Sequence, residues 1–445
     1  MESGGPRILV IGAGPKGVAI AAKAQVLSKL KFGSPKVRLI ERGTIGANWS
    51  GKESIYTNGE QSLATSPLKD VGFPYHSTDW GERNRDVDSE MLSYSWQAFL
   101  VDKRGGDTAE FSLWVDRGLA PPALWRWAAY LGWVAKKSGA DVLHGSVKSI
   151  SISDGKWKVR VDARKGGEVV ESGEGLVITG PGEVLLDGYD SSVDHSPGII
   201  DAKNFWHHLD SFNSLKDGAR IAVVGAGGAA SSIAVALTQI GKHFRIEIIT
   251  PDGVIYSRGE SFDENRHYSD PRAWQAFGPE SRKKFLEHTT NGVFDAESKR
   301  ILNAVENVET VGGTVTGLEV ADEDSDLGVF VYLRDRVQSE HYDRVILATG
   351  FDDCWWLGLA DQEILQRLDA RMDGGDSKRL RGKIMPDLSV DAFKPRLHLP
   401  MVASEQGPGF FNLTSLGLLS DRILFPYTTR HRMAMGGMNE PAGQT

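Results

Sequence analysis

One cysteine, Cys354, stands in a chain of 445 residues. A single thiol excludes an intrachain disulfide, a CxxC dithiol and any multi-cysteine zinc or iron–sulfur site. Long apolar runs are missing as well: no stretch approaches the roughly 18 uninterrupted apolar residues of a membrane span, so no membrane partner is expected. The first residues lack the basic region, apolar core and small-residue cleavage site of a secretory signal, which makes the cytoplasm the expected location. Positive charge is not in excess. Lys and Arg number 51 against 59 Asp and Glu, a formal net charge of −8, so small ligands are expected and nucleic acid is not. His76, His207, His208 and His267 form no HExxH or other compact metal pattern, and no metal is expected.

What remains is an ordinary globular composition, 40% hydrophobic and 25% charged, long enough for two or three domains. Two glycine-rich turns organise it. Arg7 to Ile11 reads as a buried strand, GAGPKG at Gly12 to Gly17 opens a helix with Val18, Ile20, Ala21, Ala24 and Leu27 on its apolar face, and Val37 to Ile40 is a second strand ending at Glu41. Strand, glycine turn, helix, strand and acid make the βαβ dinucleotide fingerprint. Gly12 permits the tight turn, Gly14 lets backbone approach a pyrophosphate, and Gly17 relieves the helix–strand contact. Glu41 suits a ribose hydroxyl and disfavours a ribose phosphate. The order repeats from Arg220, with GAGGAA at Gly225 to Ala230 and a strand at Ile246 to Ile249 that has no acid at its end. That half suits a pyridine nucleotide, with Arg258 on the following loop available to a 2′-phosphate.

The fold class expected is therefore α/β, with two Rossmann-like dinucleotide-binding domains and a smaller substrate-binding region. Residues 1–215 and 345–435 are read as a discontinuous FAD domain, the strand before LATGF rejoining the first fold. Residues 216–255 and 310–344 are read as the NADPH domain, 256–309 as a mainly helical substrate region and 436–445 as a flexible tail. Duplicate βαβ units without nucleotides are the competing reading. Two dinucleotides together permit disulfide reduction, electron transfer or flavin monooxygenation. Cys354 alone disfavours the first and leaves no iron–sulfur relay for the second.

Longer segments single out the third. GANW at Gly46 to Trp49, SLATSPLKDVGFPY at Ser62 to Tyr75, YSWQAFL, WRWAAYLGWV, GESFDENRHYSDP, TTNGVF and QGPGFFNLTSLGLLSDR span almost the whole chain. In these segments the chain resembles the flavin-dependent N-hydroxylating monooxygenases of lysine and ornithine, and within them the lysine enzymes of mycobactin and nocobactin assembly. The resemblance implies FAD at the first turn and NADPH at the second, with O2 as co-substrate, C4a-hydroperoxyflavin chemistry and retention of NADP+ during oxygen transfer. It also implies a homo-oligomer, dimer or tetramer. Cofactor contacts would come from Gly12, Gly14, Pro15, Gly17, Glu41, Trp49, Thr65, Ser66, Gly225, Gly227, Gly228, Arg258, Gly350, Asn412 and Leu413. Lys69 matches a lysine near the substrate carboxylate, Asn265 and Asn291 match amides that contact the amino acid's α-groups, and Ser420 matches a serine near the distal amine.

Three positions depart from the pattern. Ala229 replaces a hydroxyl residue that holds the 2′-phosphate in relatives, Ala64 replaces a flavin-facing glutamine of ornithine enzymes, and Asn291 stands where lysine enzymes often carry Asp. The expected reaction is L-lysine N6-hydroxylation, with L-ornithine N5-hydroxylation as the alternative. Diamine hydroxylation and a lapsed nucleotide-binding interaction protein rank below. No general base is secured: His267 is read as a structural hydrogen-bonding residue, and Asp70 as orienting Lys69 or capping a helix.

Overall fold

The computed structural model describes residues 5–51, 57–102, 109–185, 198–258, 260–290, 292–321, 328–334, 336–368, 380–391 and 393–429. Asn291 and the tail 436–445 lie outside the described residues.

Both ends of the chain build a seven-stranded sheet. Its order is Arg396–His398, Gly175–Ile178, Arg7–Ile11, Lys36–Glu41, Asp141–Ser153, Lys156–Ala163 and Gly167–Gly173. The first five strands are parallel and the last two join as an antiparallel meander. RILVI is continuously apolar because Ile8, Leu9 and Val10 are covered on both faces, as a central parallel strand requires. The helix that follows, Pro15–Lys29, is buried along most of its length, including Val18, Ile20 and Leu27. The C-terminal helix Leu416–Leu424 packs against it. That covering buries Lys23, whose ammonium pairs with Asp421 at 2.8 Å, both side chains being 1% exposed. Ser77 Oγ and Trp80 Nε1 donate to the same carboxylate at 2.7 and 2.9 Å, so the buried charge is fully engaged.

The second sheet is entirely parallel, in the order Val308–Gly312, Arg245–Thr250, Arg220–Val224, Arg344–Leu347 and Ile199–Asp201. Here the fold departs from the sequence expectation. The strand before LATGF does not rejoin the first sheet; it lies between Arg220–Val224 and Ile199–Asp201. Residues 199–215, also expected in the first unit, send Phe205, Trp206 and Phe212 into the second core beside Ile221, Val223 and Ile233. A buried parallel strand is apolar on both faces, so nothing in its own residues says which sheet it enters. The helix Ala296–Asn303, expected in the substrate region, likewise gives Leu302 to the second core. The opposite face is closed by an antiparallel sheet of Val315–Val320, Val329–Leu333 and Glu340–Tyr342.

Tyr256–Arg258 and Val293–Asp295 pair in parallel and bracket an excursion of three helices, Phe262–Ser269, Pro271–Gln275 and Pro279–Thr289. Ser261 and Glu264 start the first with a reciprocal capping box, and the Asp270 side chain caps the second. The excursion docks on the C-terminal segment: Ser415 Oγ donates to the Tyr268 carbonyl at 2.5 Å and Trp274 Nε1 to that of Glu405 at 2.8 Å. No described helix is long and apolar enough to cross a membrane.

Candidate functional site

At the first turn Gly12 has φ +103°, and a Cβ there would come within 2.5 Å of Thr179 Oγ1. A Cβ on Gly17 would come within 2.2 Å of the Gly12 carbonyl oxygen, so the helix can lie this close to the strand only without a side chain. At Gly14 the same position is open, with no atom within 4 Å. Pro15 begins the helix, and Gly14 caps it without a side chain, so the terminal amides are left for an anion. Glu41 completes the turn. Its carboxylate accepts the Ala13 and Gly43 amides at 2.7 Å each, which fixes it at the strand end with lone pairs left for ribose hydroxyls. These residues fit the pyrophosphate and ribose of FAD.

Lys16, which the sequence reading passed over, ties this turn to the C-terminal loop by donating to the Phe411 carbonyl at 2.9 Å. Burial depresses its ammonium to about 8, with Asp353 opposing, while burial lifts the Asp353 carboxyl to about 6. The signal was present: a lysine inside the glycine turn, just before the apolar run Val18 to Ala22, has to find a partner. In that loop Asn412 Oδ1 accepts the Thr414 amide and hydroxyl at 2.9 and 2.6 Å, and Leu413 rests on the first core. Trp49, in the short helix Ala47–Ser50, packs on the same core. Gly350 has φ +106°, with open space where a Cβ would lie.

The second turn has similar parts. Gly225 has φ +123° and would bring a Cβ within 2.2 Å of the Ala348 carbonyl oxygen, while Gly227 and Gly228 face open space at the start of the helix Gly228–Thr238. The geometry fits the pyrophosphate of NADPH. Arg258 lies on a strand, not on a loop; its Nε donates to the Thr289 carbonyl at 2.8 Å and its charge acts on Lys69.

Lys69 is 6% exposed, and its Nζ has no hydrogen-bond partner of good geometry among the described residues. The Glu260 carboxylate lies 3.3 Å from it and also accepts the Thr65 hydroxyl at 2.7 Å. Burial pushes the ammonium below its ordinary value, with Glu260 opposing. Ser66 shapes the same loop, its carbonyl accepting the Lys69 amide at 3.0 Å and its hydroxyl the Leu68 amide at 3.3 Å. Asp70 turns away from Lys69. Its carboxylate accepts the Gly72 amide, the Tyr75 hydroxyl and the Trp96 amide at 3.1, 2.7 and 2.9 Å, and burial raises its carboxyl to about 6. It braces the loop that presents Lys69.

Asn265 lies inside the helix Phe262–Ser269 and donates from Nδ2 to the Glu260 carbonyl at 2.6 Å, so it joins the Lys69 cluster through Glu260. Ser420 is fully buried in the C-terminal helix, its hydroxyl donating to the Leu416 carbonyl one turn back at 2.8 Å. His267 belongs to a small aromatic core, its ring 4.1 Å from Phe277 and 5.1 Å from Phe285 between centroids, and burial lowers its proton affinity. Among the described residues, no group of three His, Cys, Asp or Glu side chains is placed to hold a metal. Glu260 was missed from the sequence because its partner Lys69 lies on a distant loop and the glutamate itself stands in a polar, turn-like run.

Residues 93–353 match the family model for L-lysine 6-monooxygenase/L-ornithine 5-monooxygenase. L-lysine N6-monooxygenase MbtG from Mycobacterium sp. (strain MCS) is 36% identical over 428 residues, 94% of either chain. Lysine monooxygenase NbtG from Nocardia farcinica, a structure described for its unprecedented NADPH domain conformation, superposes with a TM-score of 0.78 at 34% identity, covering 94% of this chain and 98% of that one. The ornithine N-hydroxylase KtzI from Kutzneria sp. 744 shares the fold at 17% identity, with a TM-score of 0.67 over 94% of this chain and 98% of its own.

Proposed function

Since the chain belongs to the L-lysine 6-monooxygenase/L-ornithine 5-monooxygenase family of FAD- and NADPH-dependent enzymes, we propose that it hydroxylates N6 of free L-lysine. The balanced reaction takes L-lysine, NADPH, a proton and O2 to N6-hydroxylysine, NADP+ and water. The product is a hydroxylamine suited to siderophore or other N–O and N–N chemistry.

The observation that carries the reading is the buried Lys69 ammonium, which has a carboxylate beside it and no well-aligned hydrogen-bond partner among the described residues. A cation in that state is a receptor for the carboxylate of an amino acid, and identity of 34 to 36% to lysine enzymes supports lysine as the substrate. When bound, the two dinucleotides supply reduction of O2 and an oxygen atom for transfer. The chain's own part is holding and excluding. The amides ahead of Pro15 and the Glu41 carboxylate hold FAD, those around Gly227 and Gly228 hold NADPH, and Lys69, Asn265 and Asn291 hold the amino-acid end. The loop braced by Asp70 holds Lys69 in place for the amino-acid end, and desolvation of the bound amine would favour the neutral form that attack requires.

Purified enzyme supplied with FAD, NADPH and lysine, ornithine, cadaverine or putrescine tests this, with hydroxylated products identified by mass spectrometry and H2O2 measured separately. N6-hydroxylysine is expected as the dominant product. Ornithine product with negligible lysine product would overturn the substrate, and NADPH oxidation yielding only H2O2 would overturn the reaction.

A further inference from the structure

Glu260 is the one acid paired with the buried Lys69 ammonium among the described residues, and its setting is unusual in three ways. Its backbone is left-handed, with φ +50°, a conformation that side-chain-bearing residues rarely adopt and that tends to persist where function demands it. Its carbonyl is pinned by Asn265 Nδ2 at 2.6 Å, directly before the capping box that starts the next helix. Its carboxylate is only half engaged: Oε1 meets Lys69 Nζ and the Thr65 hydroxyl, while Oε2 accepts no hydrogen bond among the described residues. A residue kept solely to neutralise Lys69 would not need to be held in a strained backbone by a second side chain.

We propose that Glu260 reads the α-ammonium of the amino-acid substrate, as Lys69 reads its α-carboxylate. This rests on the lysine-hydroxylating function proposed above. Before substrate arrives, Lys69 and Glu260 neutralise each other. A zwitterion then replaces one internal pair by two matched pairs, its carboxylate on Lys69 and its ammonium on Glu260, with no change in the buried charge total. A ligand that carries only one of the two groups leaves one protein charge without its new partner, at the cost of an uncompensated charge in a mostly buried setting. The site thereby selects free amino acids over diamines and over simple ω-amino acids, a discrimination that chain length alone cannot provide.

Two analogues isolate the two contacts: 6-aminohexanoate is lysine without its α-amine, and cadaverine is lysine without its carboxylate. Binding of L-lysine and both analogues to the FAD-loaded enzyme is measured by equilibrium dialysis, beside product formation. The wild type is expected to bind lysine at least about tenfold more tightly than either analogue. Glu260→Gln is expected to weaken lysine about tenfold while leaving 6-aminohexanoate within about threefold of wild type, so that the preference between them vanishes. Lys69→Gln should instead erase the preference over cadaverine. Equal weakening of lysine and 6-aminohexanoate in Glu260→Gln, or a wild type that binds lysine no better than 6-aminohexanoate, would overturn the assignment; the second comparison needs no variant to fold. The two readings fail separately. Selective lysine binding without hydroxylamine would sink the reaction and keep the Glu260 role, whereas lysine hydroxylation without the selectivity would do the reverse.

Discussion

The two glycine turns share their local geometry and differ in what surrounds them. Each has a first glycine above φ +100° and an extended glycine cap with no side-chain bond, so each leaves helix amides for a phosphate. The first helix, however, is buried along most of its length, down to Lys16 and Lys23, and its strand carries the anchored Glu41. The second helix keeps Ala229, Val235 and Ala236 only partly covered, and Ala230 stands where Gly17 stands in the first. The same turn is thus enclosed to different degrees in the two units, according to how many elements close over the helix. The enclosed turn is the one read as the flavin site, and the more open turn the one read as the nicotinamide site.

Mutations in matching places sharpen the contrast. Asp421→Ala should cost the most, about 3 to 5 kcal/mol, because it strands the Lys23 ammonium in the core. Its counterpart is Glu247, buried but facing the partly exposed Arg220 at 2.9 Å; Glu247→Gln should cost clearly less, and equal urea midpoints for the two variants would break the comparison.

Acid should unsettle the first unit next. His398, on the edge strand of the seven-stranded sheet, contacts the Asp387 carbonyl at 2.9 Å and the Tyr427 hydroxyl at 2.8 Å. A carbonyl only accepts, so Nδ1 carries the proton and Nε2 accepts from Tyr427. Burial holds the imidazole down at about 4, against 6.5 when unperturbed. The unfolded chain therefore takes up a proton that the folded chain refuses. Stability from this group is full above about pH 6.5 and drains as pH falls to about 4, by about 3 kcal/mol in all. Urea titrations of wild type and His398→Gln across that range should show a shallower acid loss in the variant; parallel curves would exclude His398 as the cause.

Gly17→Ala should cost about 1 to 3 kcal/mol and lower the flavin retained on purification, since the new methyl meets a backbone oxygen at 2.2 Å. Ala230→Gly, the reverse change in the second turn, should cost only about 1 kcal/mol and spare flavin content. Flavin absorbance per protein and the thermal midpoint decide both.

Much of this was legible in the chain, and the exceptions have physical causes. Glycine spacing after an apolar strand encodes a turn locally, so both nucleotide seats could be read without tertiary information. Arg344–Leu347 could not be assigned to a sheet, because burial on both faces removes the alternation that marks a strand's neighbours. Lys69 stood out through the resemblance to known enzymes, whereas its ion-pair partner Glu260, which meets it only after folding, carried no such mark. The Ser420 hydroxyl donates to the Leu416 carbonyl one turn back, a local bond that leaves its acceptor lone pairs open. That the charge of Arg258 also bears on Lys69 could not be read from the chain, because the two residues meet only after folding.

The C-terminal strand and helix that close the first sheet also set an order of events during synthesis. Every strand of the second sheet has left the ribosome once residue 347 is free, whereas the first sheet lacks its edge until Arg396–His398 follows, and its buried helix lacks the partner of Lys23 until Asp421 does. The nicotinamide half can therefore collapse while the flavin half still waits for its edge strand beside Gly175–Ile178 and for the carboxylate that pairs with Lys23.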